Sequence, residues 1–319
     1  MKLQTIKEKY RTKELTISGM NLSSAKAHFG SLTDLKKLNY NIVYYKGHRE
    51  IREKYNHPSR YGEPEKYRQM NQEIDAFDKD LNEKYENGLL ALTERQTTLL
   101  ELLENLYYEG LETEHKITPI EVKDGKAIIP KSKPYHRCWI NNEDNLAKLE
   151  TISDLGLIAS EWFGIYEAEG EGRFCVFAQT DEVKTYPETK PLIKIYFDET
   201  SDYWKKLASY DHFEYVHIKN TNPDMIEKIY PPEIIALYEE IISPLSSTND
   251  FHSDPSSEEF TWMALPGGIP PQLIAGIKIQ STNTLLMENL EKIQKLFPNA
   301  VIFDENNKVL DREINKENE

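Results

Sequence analysis

The spacing of apolar residues predicts helices in the first third of the chain. From Glu63 to Gly110 apolar residues recur at three- and four-residue steps, which predicts a helical hairpin over 63–110, broken at Gly88 and capped at Gly110. The second half of this segment carries a leucine stripe that consists of Leu89, Leu92, Leu99, Leu103 and Leu106, widened by Leu100 and Leu102. Such a stripe predicts a core face, and self-association through it is the alternative.

Residues 1–60 mix shorter signals. Leu15–Ile17 and Asn41–Tyr45 gather Thr, Ile, Val and Tyr, which predicts strands, whereas Ser23–His28 and Thr33–Leu38 predict helices. Prolines 119, 130 and 134 then indicate a connector, so the domain border is expected near residue 115. The chain is thus divided into a mainly helical N-terminal region over 1–115 and a second domain over 116–310.

The second domain alternates short strands with short helices. Asp124-Gly125 lies between two alternating apolar segments and predicts a hairpin with a type I′ turn. Further predicted strands are Tyr135–Ile140, Arg173–Gln179, Leu192–Phe197, Tyr215–Ile218, Phe260–Ala264, Leu273–Ile279 and Ala300–Phe303. Predicted helices are Asn145–Asp154 (capped by Gly156), Asp202–Ala208, Pro223–Ile229, Pro232–Ile242 and Thr284–Leu296. This pattern predicts an α+β domain with a mostly antiparallel sheet, followed by a charged tail over 311–319.

The charge is unevenly distributed along the chain. The whole sequence carries a net charge of −15, yet residues 1–60 contain 13 basic and five acidic residues, which is a net charge of +8. An acidic body repels phosphate backbones, so broad nucleic-acid binding by residues 61–319 is not expected. The basic segment is expected to dock on the acidic remainder of the chain, with nucleic-acid binding through 1–60 as the alternative.

Several common kinds of site are not indicated by the sequence. It contains no phosphate-binding glycine loop, dinucleotide fingerprint or HExxH motif, and His212 and His217 are five residues apart, so they would not share a helical face as zinc ligands. The longest uncharged run, Phe260–Ile277, contains prolines and glycines and is no membrane helix. With only Cys138 and Cys175 as cysteines, these features predict a soluble cytoplasmic protein without a metal.

Three segments of the second domain carry most of the functional information. The first is Tyr135–Trp139, followed by Asn145–Ile152 and Asp154–Ile158. The second is Arg173–Thr180, and the third is Ser257–Trp262, followed by Pro266–Pro271 and Leu273–Ile279. In this order they resemble the ADP-ribosyltransferase fold over about residues 130–280. The resemblance implies a split, mostly antiparallel sheet with helical insertions, and NAD as a substrate.

The resemblance also implies roles for particular residues. A late carboxylate at the start of a strand would be catalytic, and Glu259 or Glu258 matches it, with Glu259 slightly favoured. His136 or Arg137 would match the first-strand residue that holds NAD. Tyr135 would fit a place beside the nicotinamide, with an ordinary core position as its alternative, and Thr180 stands roughly at the second-strand polar signature.

A fixed carboxylate suits this chemistry because positive charge develops on the ribose carbon as the bond to nicotinamide breaks. The simpler alternatives are a solvated loop end for Glu258 and Glu259, and a hydrogen-bonded core position for His136. The leading hypothesis is an enzyme that transfers ADP-ribose from NAD to a macromolecular acceptor, either protein or nucleic acid. A non-enzymatic interaction protein that uses the helical hairpin is the alternative.

Overall fold

The computed structural model describes residues 35–90, 92–139, 145–158, 175–181, 192–243 and 262–310. These residues form helices together with sheets in which antiparallel pairs predominate, so the predicted α+β class is confirmed. None of the helices described has the length and apolar character that a bilayer crossing requires.

The first two helices, α1 (Leu35–Lys54) and α2 (Pro64–Glu86), pack against each other. The strand predicted at Asn41–Tyr45 is wrong, because this segment lies inside α1. The buried residues of α1 recur at multiples of three positions, within the segment and beyond it, as Ile42, His48 and Ile51 show. Helical burial therefore outweighs the weak local strand preference of Ile, Val and Tyr.

The third helix, α3 (Glu94–Glu112), carries most of the leucine stripe. A capping box starts it, in which Thr93 and Gln96 bond each other's backbone N–H. The predicted end at Gly110 is wrong by two residues. A Cβ at Gly110 would come within 2.4 Å of Pro270 Cγ, so this glycine allows close packing inside the helix.

The stripe is a core face in the structure. Leu99, Leu100, Leu103 and Tyr107 are buried, and they share a cluster with residues 155–158 and with the helices of residues 212–242, whereas Leu89 is 70% exposed. Residues 63–110 hold the two helices that the sequence predicts, but α2 packs on α1, whereas α3 packs on the helical segments of residues 232–242 and on Gly268–Ile269.

The connector holds a two-stranded hairpin, β1 (Val122–Lys123) and β2 (Lys126–Ala127). Asp124 and Gly125 have φ angles of +50° and +70°, which confirms the type I′ turn. Next to it, Ile120 and Ala127 pack on one face of the main sheet, against a cluster of Tyr135, Tyr196, Ala275 and Phe303.

Within the described residues the main sheet has six strands, which are β3 (Tyr135–Trp139), β5 (Cys175–Gln179), β6 (Leu192–Phe197), β7 (Trp262–Pro266), β9 (Ile274–Lys278) and β10 (Val301–Phe303). Their order across the sheet is β10-β9-β6-β3-β5-β7. All neighbouring pairs are antiparallel except β9 and β10. The described strand β7 lies at one end of this order, with β5 as its sheet partner.

The second face of this sheet is covered by α4 (Asn145–Leu155), α9 (Thr284–Glu288) and α10 (Leu290–Leu296) through one apolar cluster. Between β6 and β7 the chain forms further helical segments. They are α5 (Asp202–Ala208), α6 (His212–Thr221), a 3₁₀ turn (Pro223–Met225), α7 (Ile226–Ile229), α8 (Pro232–Leu237) and a π-helix (Tyr238–Ile242).

The strand predicted at Tyr215–Ile218 is wrong, because it lies within α6. Asp211 caps this helix through Oδ1, which accepts a hydrogen bond from the N–H of Phe213 at 3.0 Å. Asp211 lies outside the apolar segment Tyr215–Ile218 from which the strand was predicted, so that segment alone does not reveal the cap.

A small second sheet joins two segments that are far apart in sequence. The strands β4 (Leu157–Ile158) and β8 (Gly268–Ile269) pair antiparallel, with Leu157 opposite Ile269. Gly156 precedes β4 and has a φ angle of +71°, as expected for the residue that ends α4. A Cβ at this position would lie 1.9 Å from the carbonyl oxygen of Ile269, so only glycine fits here without a backbone shift.

We therefore expect Gly156→Ala to destabilise the protein by clearly more than about 1 kcal/mol, the usual order of a positive-φ penalty. Gly88 is the matched control: it also follows a helix, its φ is +67°, and a Cβ there meets nothing within 4 Å. Urea denaturation of Gly156→Ala and Gly88→Ala separates the two costs, because both variants have the backbone strain of a positive φ angle and only Gly156→Ala has the clash with Ile269. Equal losses of stability would contradict the close approach.

Candidate functional site

Three strands bring predicted site residues to one edge of the main sheet. Tyr135, which begins β3, lies opposite Gln179, which ends β5, and Gln179 lies opposite Trp262, which begins β7. The chain therefore enters β3, leaves β5 and enters β7 at the same edge. Thr180 directly follows Gln179 and is half-buried at this edge.

Tyr135 is the centre of a buried polar network at this edge. Its hydroxyl donates to Asp181 Oδ1 at 2.6 Å and accepts from Gln179 Nε2 at 2.6 Å. Lys194 Nζ lies 3.3 Å from the same hydroxyl and 3.4 Å from Asp181 Oδ1. Burial, together with hydrogen bonding to Asp181, raises the pKa of Tyr135 to about 12, so this phenol stays protonated at neutral pH.

A row of cationic residues crosses the same face of the sheet. Arg137 of β3 lies directly opposite Lys194 of β6, and Lys194 lies directly opposite Lys278 of β9. Directly opposed residues share a face, and Tyr135 shares it with Arg137 two positions later. We call Arg137, Lys194 and Lys278 the cationic row.

His136 points to the other face of the sheet because it alternates with Tyr135 and Arg137. It is 1% exposed, and its Nδ1–H donates to the carbonyl oxygen of Phe177 at 2.7 Å. His136 and Arg137 therefore do not share one side of the sheet. The structure brings together Tyr135, Arg137 and the neighbours of Thr180, and it sets His136 apart from them.

The two predicted catalytic acids, Glu258 and Glu259, lie outside the described residues, which resume at Trp262. Their role therefore remains a prediction. Among the described residues no group of His, Cys, Asp and Glu is placed to hold a metal ion.

Three members of this network, Gln179, Asp181 and Lys194, are not among the site residues predicted from the sequence. Lys194 offered a signal, because a single lysine interrupts the apolar strand Leu192–Phe197, and a lysine there must find polar partners if it is buried. Gln179 and Asp181 offered no comparable signal. They gain importance only through the pairing of β5 with β3, which brings Gln179 opposite Tyr135.

A second buried polar cluster lies where α6 meets β7. Asp211 Oδ1 accepts hydrogen bonds from the N–H groups of Phe213 and Ala264, the latter at 2.8 Å. Burial raises the pKa of Asp211 to about 7, although these N–H donors oppose the shift. Burial also lowers the pKa of the adjacent His212 to about 4, so its imidazole is neutral in the fold.

Comparison with known proteins adds no relative: no family model, no curated protein and no solved structure matches this chain. Function must therefore be argued from the residues themselves.

Proposed function

We propose that the protein transfers ADP-ribose from NAD to a macromolecular acceptor, on a fold of the ADP-ribosyltransferase type. The observation that carries the proposal is the register that aligns Tyr135, Gln179 and Trp262 across β3, β5 and β7. It brings the first and second of the functional segments to one sheet edge, together with the start of the strand that follows Glu258 and Glu259 in the sequence.

The pairing of β4 with β8 is a second support. It joins the Gly-Leu turn after α4 to the Gly-Gly-Ile-Pro-Pro segment after β7, and the resemblance rests partly on these two segments. A small sheet separate from the main one also agrees with the split sheet that the resemblance implies.

The proposed reaction breaks the bond between the ribose carbon and the nicotinamide nitrogen. Nicotinamide leaves with the bonding electron pair, the acceptor nucleophile forms the new bond to the ribose carbon, and the acceptor loses a proton. Glu259, or Glu258 in its place, would stabilise the positive charge that develops on the ribose. Tyr135 and Arg137 would line the side on which NAD binds, and Thr180 would lie at its edge.

The test measures nicotinamide release from NAD by the full chain, with Glu259→Gln and Glu258→Gln compared with wild type. We expect the variant of the catalytic acid to lose roughly 10²- to 10³-fold in rate, as when an electrostatic stabiliser is removed. Glu233→Gln is the control, because Glu233 is an exposed acid in the first turn of α8, and its rate should equal that of wild type.

Thermal melting of all four proteins shows whether a lost rate reflects lost folding. Release at the wild-type rate by both Glu258→Gln and Glu259→Gln would contradict the assignment of the catalytic acid. A wild-type chain that releases no nicotinamide, with water or with added protein and nucleic-acid acceptors, would contradict the proposed function as a whole.

A further inference from the structure

A short flap lies beside the buried carboxyl of Asp211. The flap consists of residues 222–231, which include the 3₁₀ turn and α7, and it packs on α6 and α8. Most of its side chains are exposed, and only Ile226 and Tyr230 are buried. Two anchoring side chains bury little apolar area, so the flap is a part of the fold that can open locally.

Tyr230 anchors the flap with its ring, but its hydroxyl has no hydrogen-bond partner among the described residues, although it is buried. The ring contacts Tyr215 edge-on, with 5.3 Å between the ring centroids, and Tyr238 at 6.0 Å. A buried hydroxyl without a partner costs free energy that contact with water would restore. The ring of Tyr230 therefore stabilises the closed flap, whereas its hydroxyl favours opening.

Asp211 is in a similar conflict whenever its carboxyl is ionised. The residue is 9% exposed, and its Oδ1 accepts hydrogen bonds from the N–H groups of Phe213 and Ala264. An ionised carboxylate at this position would gain free energy from contact with water. The titratable groups that face it include no cation among the described residues; they are Cys175 of β5, Glu214 of α6, Tyr230 of the flap and Tyr238 of the π-helix.

We propose that the flap is a lid operated by the ionisation of Asp211, closed while the carboxyl is protonated and open to water when the carboxyl has lost its proton. Opening hydrates the carboxylate of Asp211 and the hydroxyl of Tyr230 together, and the buried contacts of Ile226 and of the Tyr230 ring oppose it. The lid responds near neutral pH, because burial raises the pKa of Asp211 to about 7 in the closed form. It does not depend on the proposed transferase activity.

The imidazole of His212 is expected to stay buried when the flap opens. Its ring packs on Tyr215 and Tyr238, with 6.1 and 4.9 Å between the centroids, and these residues belong to α6 and to the π-helix. Opening of the flap therefore hydrates Asp211 alone, whereas complete unfolding exposes both Asp211 and His212. This difference separates the lid from unfolding of the whole protein.

Hydrogen exchange of the full chain at pH 5.5, 6.5 and 7.5 tests the lid, with each rate compared with that of an unstructured peptide at the same pH. The N–H of Tyr230 donates to the carbonyl oxygen of Ile226 within the flap, so its protection reports on opening. We expect this protection to fall by at least about tenfold from pH 5.5 to 7.5, because a carboxyl that becomes hydrated shifts the opening equilibrium by up to about tenfold per pH unit. The amides of β9, an inner strand of the described sheet, should change far less, since Asp211 and His212 affect complete unfolding in opposite directions.

Three variants identify the groups that operate the lid. Asp211→Asn should make the protection of the flap independent of pH. Tyr230→Phe keeps the ring and removes the buried hydroxyl, so protection should rise roughly tenfold at every pH while its pH dependence is kept. Glu227→Gln is the matched control, because Glu227 is an exposed acid on the flap itself, and this variant should behave as wild type does.

Unchanged protection of Tyr230 between pH 5.5 and 7.5 in wild type would overturn the proposal. The same fall in Asp211→Asn would overturn it too, as would loss of the pH dependence in Glu227→Gln, which would place the titrating group on the flap. An equal fall in the amides of β9 would show that the whole domain unfolds. Lower protection in Tyr230→Phe would show that the hydroxyl is already satisfied in the closed form, which also contradicts the lid.

Discussion

Leu103→Asp is expected to abolish the folded state, whereas Leu89→Asp should leave it intact. Both leucines belong to the stripe that the sequence shows, yet Leu103 is fully buried and Leu89 is 70% exposed. Removing a buried leucine costs about 2–5 kcal/mol, and burying an unpaired carboxylate in its place costs several more. The sum is comparable to the whole stability of a typical domain, about 5–15 kcal/mol.

Far-UV circular dichroism, urea denaturation and size-exclusion chromatography together check this prediction. They also decide between the two interpretations of the stripe. If the stripe were a surface for self-association, wild type would elute as a dimer and Leu103→Asp would elute as a folded monomer. A folded Leu103→Asp monomer would therefore contradict the core position of α3.

The sequence predicted elements well where burial and local preference agree. Leu192–Phe197 and Asp202–Ala208 have the predicted bounds, because an apolar run and a capped short helix each point to one structure. Asn41–Tyr45 and Tyr215–Ile218 contain the same residue types as true strands. Both are helical, because their environment is set by packing partners and by a cap outside the segment, which a short window cannot reveal.

The candidate site was predictable only in part, because its residues depend on the register of strands. Tyr135 and Thr180 were chosen from the sequence, and both lie at the sheet edge that the structure reveals. The cationic row was not predictable, since Arg137, Lys194 and Lys278 are separated by more than 50 residues and meet only through two strand pairings.

The stability of the protein is expected to depend on pH largely through Asp211, whose carboxyl joins α6 to the edge of the described sheet. The strand β7 pairs with β5 on one side, and the N–H of Ala264 donates to Asp211 on the other. An outward N–H on such a strand needs an acceptor when it is buried, and Asp211 supplies one. Cys175 of β5, Tyr230 and Tyr238 from the following segments, and Glu214 of α6 face this carboxyl.

Because burial raises the pKa of Asp211 from 3.8 to about 7, the folded state holds this proton more tightly than the unfolded chain does. The stability that the protonated carboxyl contributes is complete below pH 3.8 and is lost as the pH rises to about 7, to the extent of roughly 4 kcal/mol. His212 acts in the opposite direction. Its pKa is lowered to about 4, so stability is lost as the pH falls from 6.5 towards 4. Between about pH 4 and 6.5 the two contributions oppose each other.

Asp211→Asn should separate them. The amide oxygen of this variant can still accept hydrogen bonds from the N–H groups of Ala264 and Phe213, but the amide carries no charge at any pH. The variant should therefore be more stable than wild type at pH 8, by up to about 4 kcal/mol, and equally stable near pH 3.5. Between pH 6.5 and 4 the variant should lose stability through His212, where wild type is nearly flat. Urea denaturation at intervals from pH 3.5 to 8 measures both curves, and Asp224→Asn, at an exposed acid, should change stability by less than about 0.5 kcal/mol throughout. If the difference between Asp211→Asn and wild type did not depend on pH, Asp211 would be an ordinary ionised carboxylate and not a buried acid at the edge of the sheet.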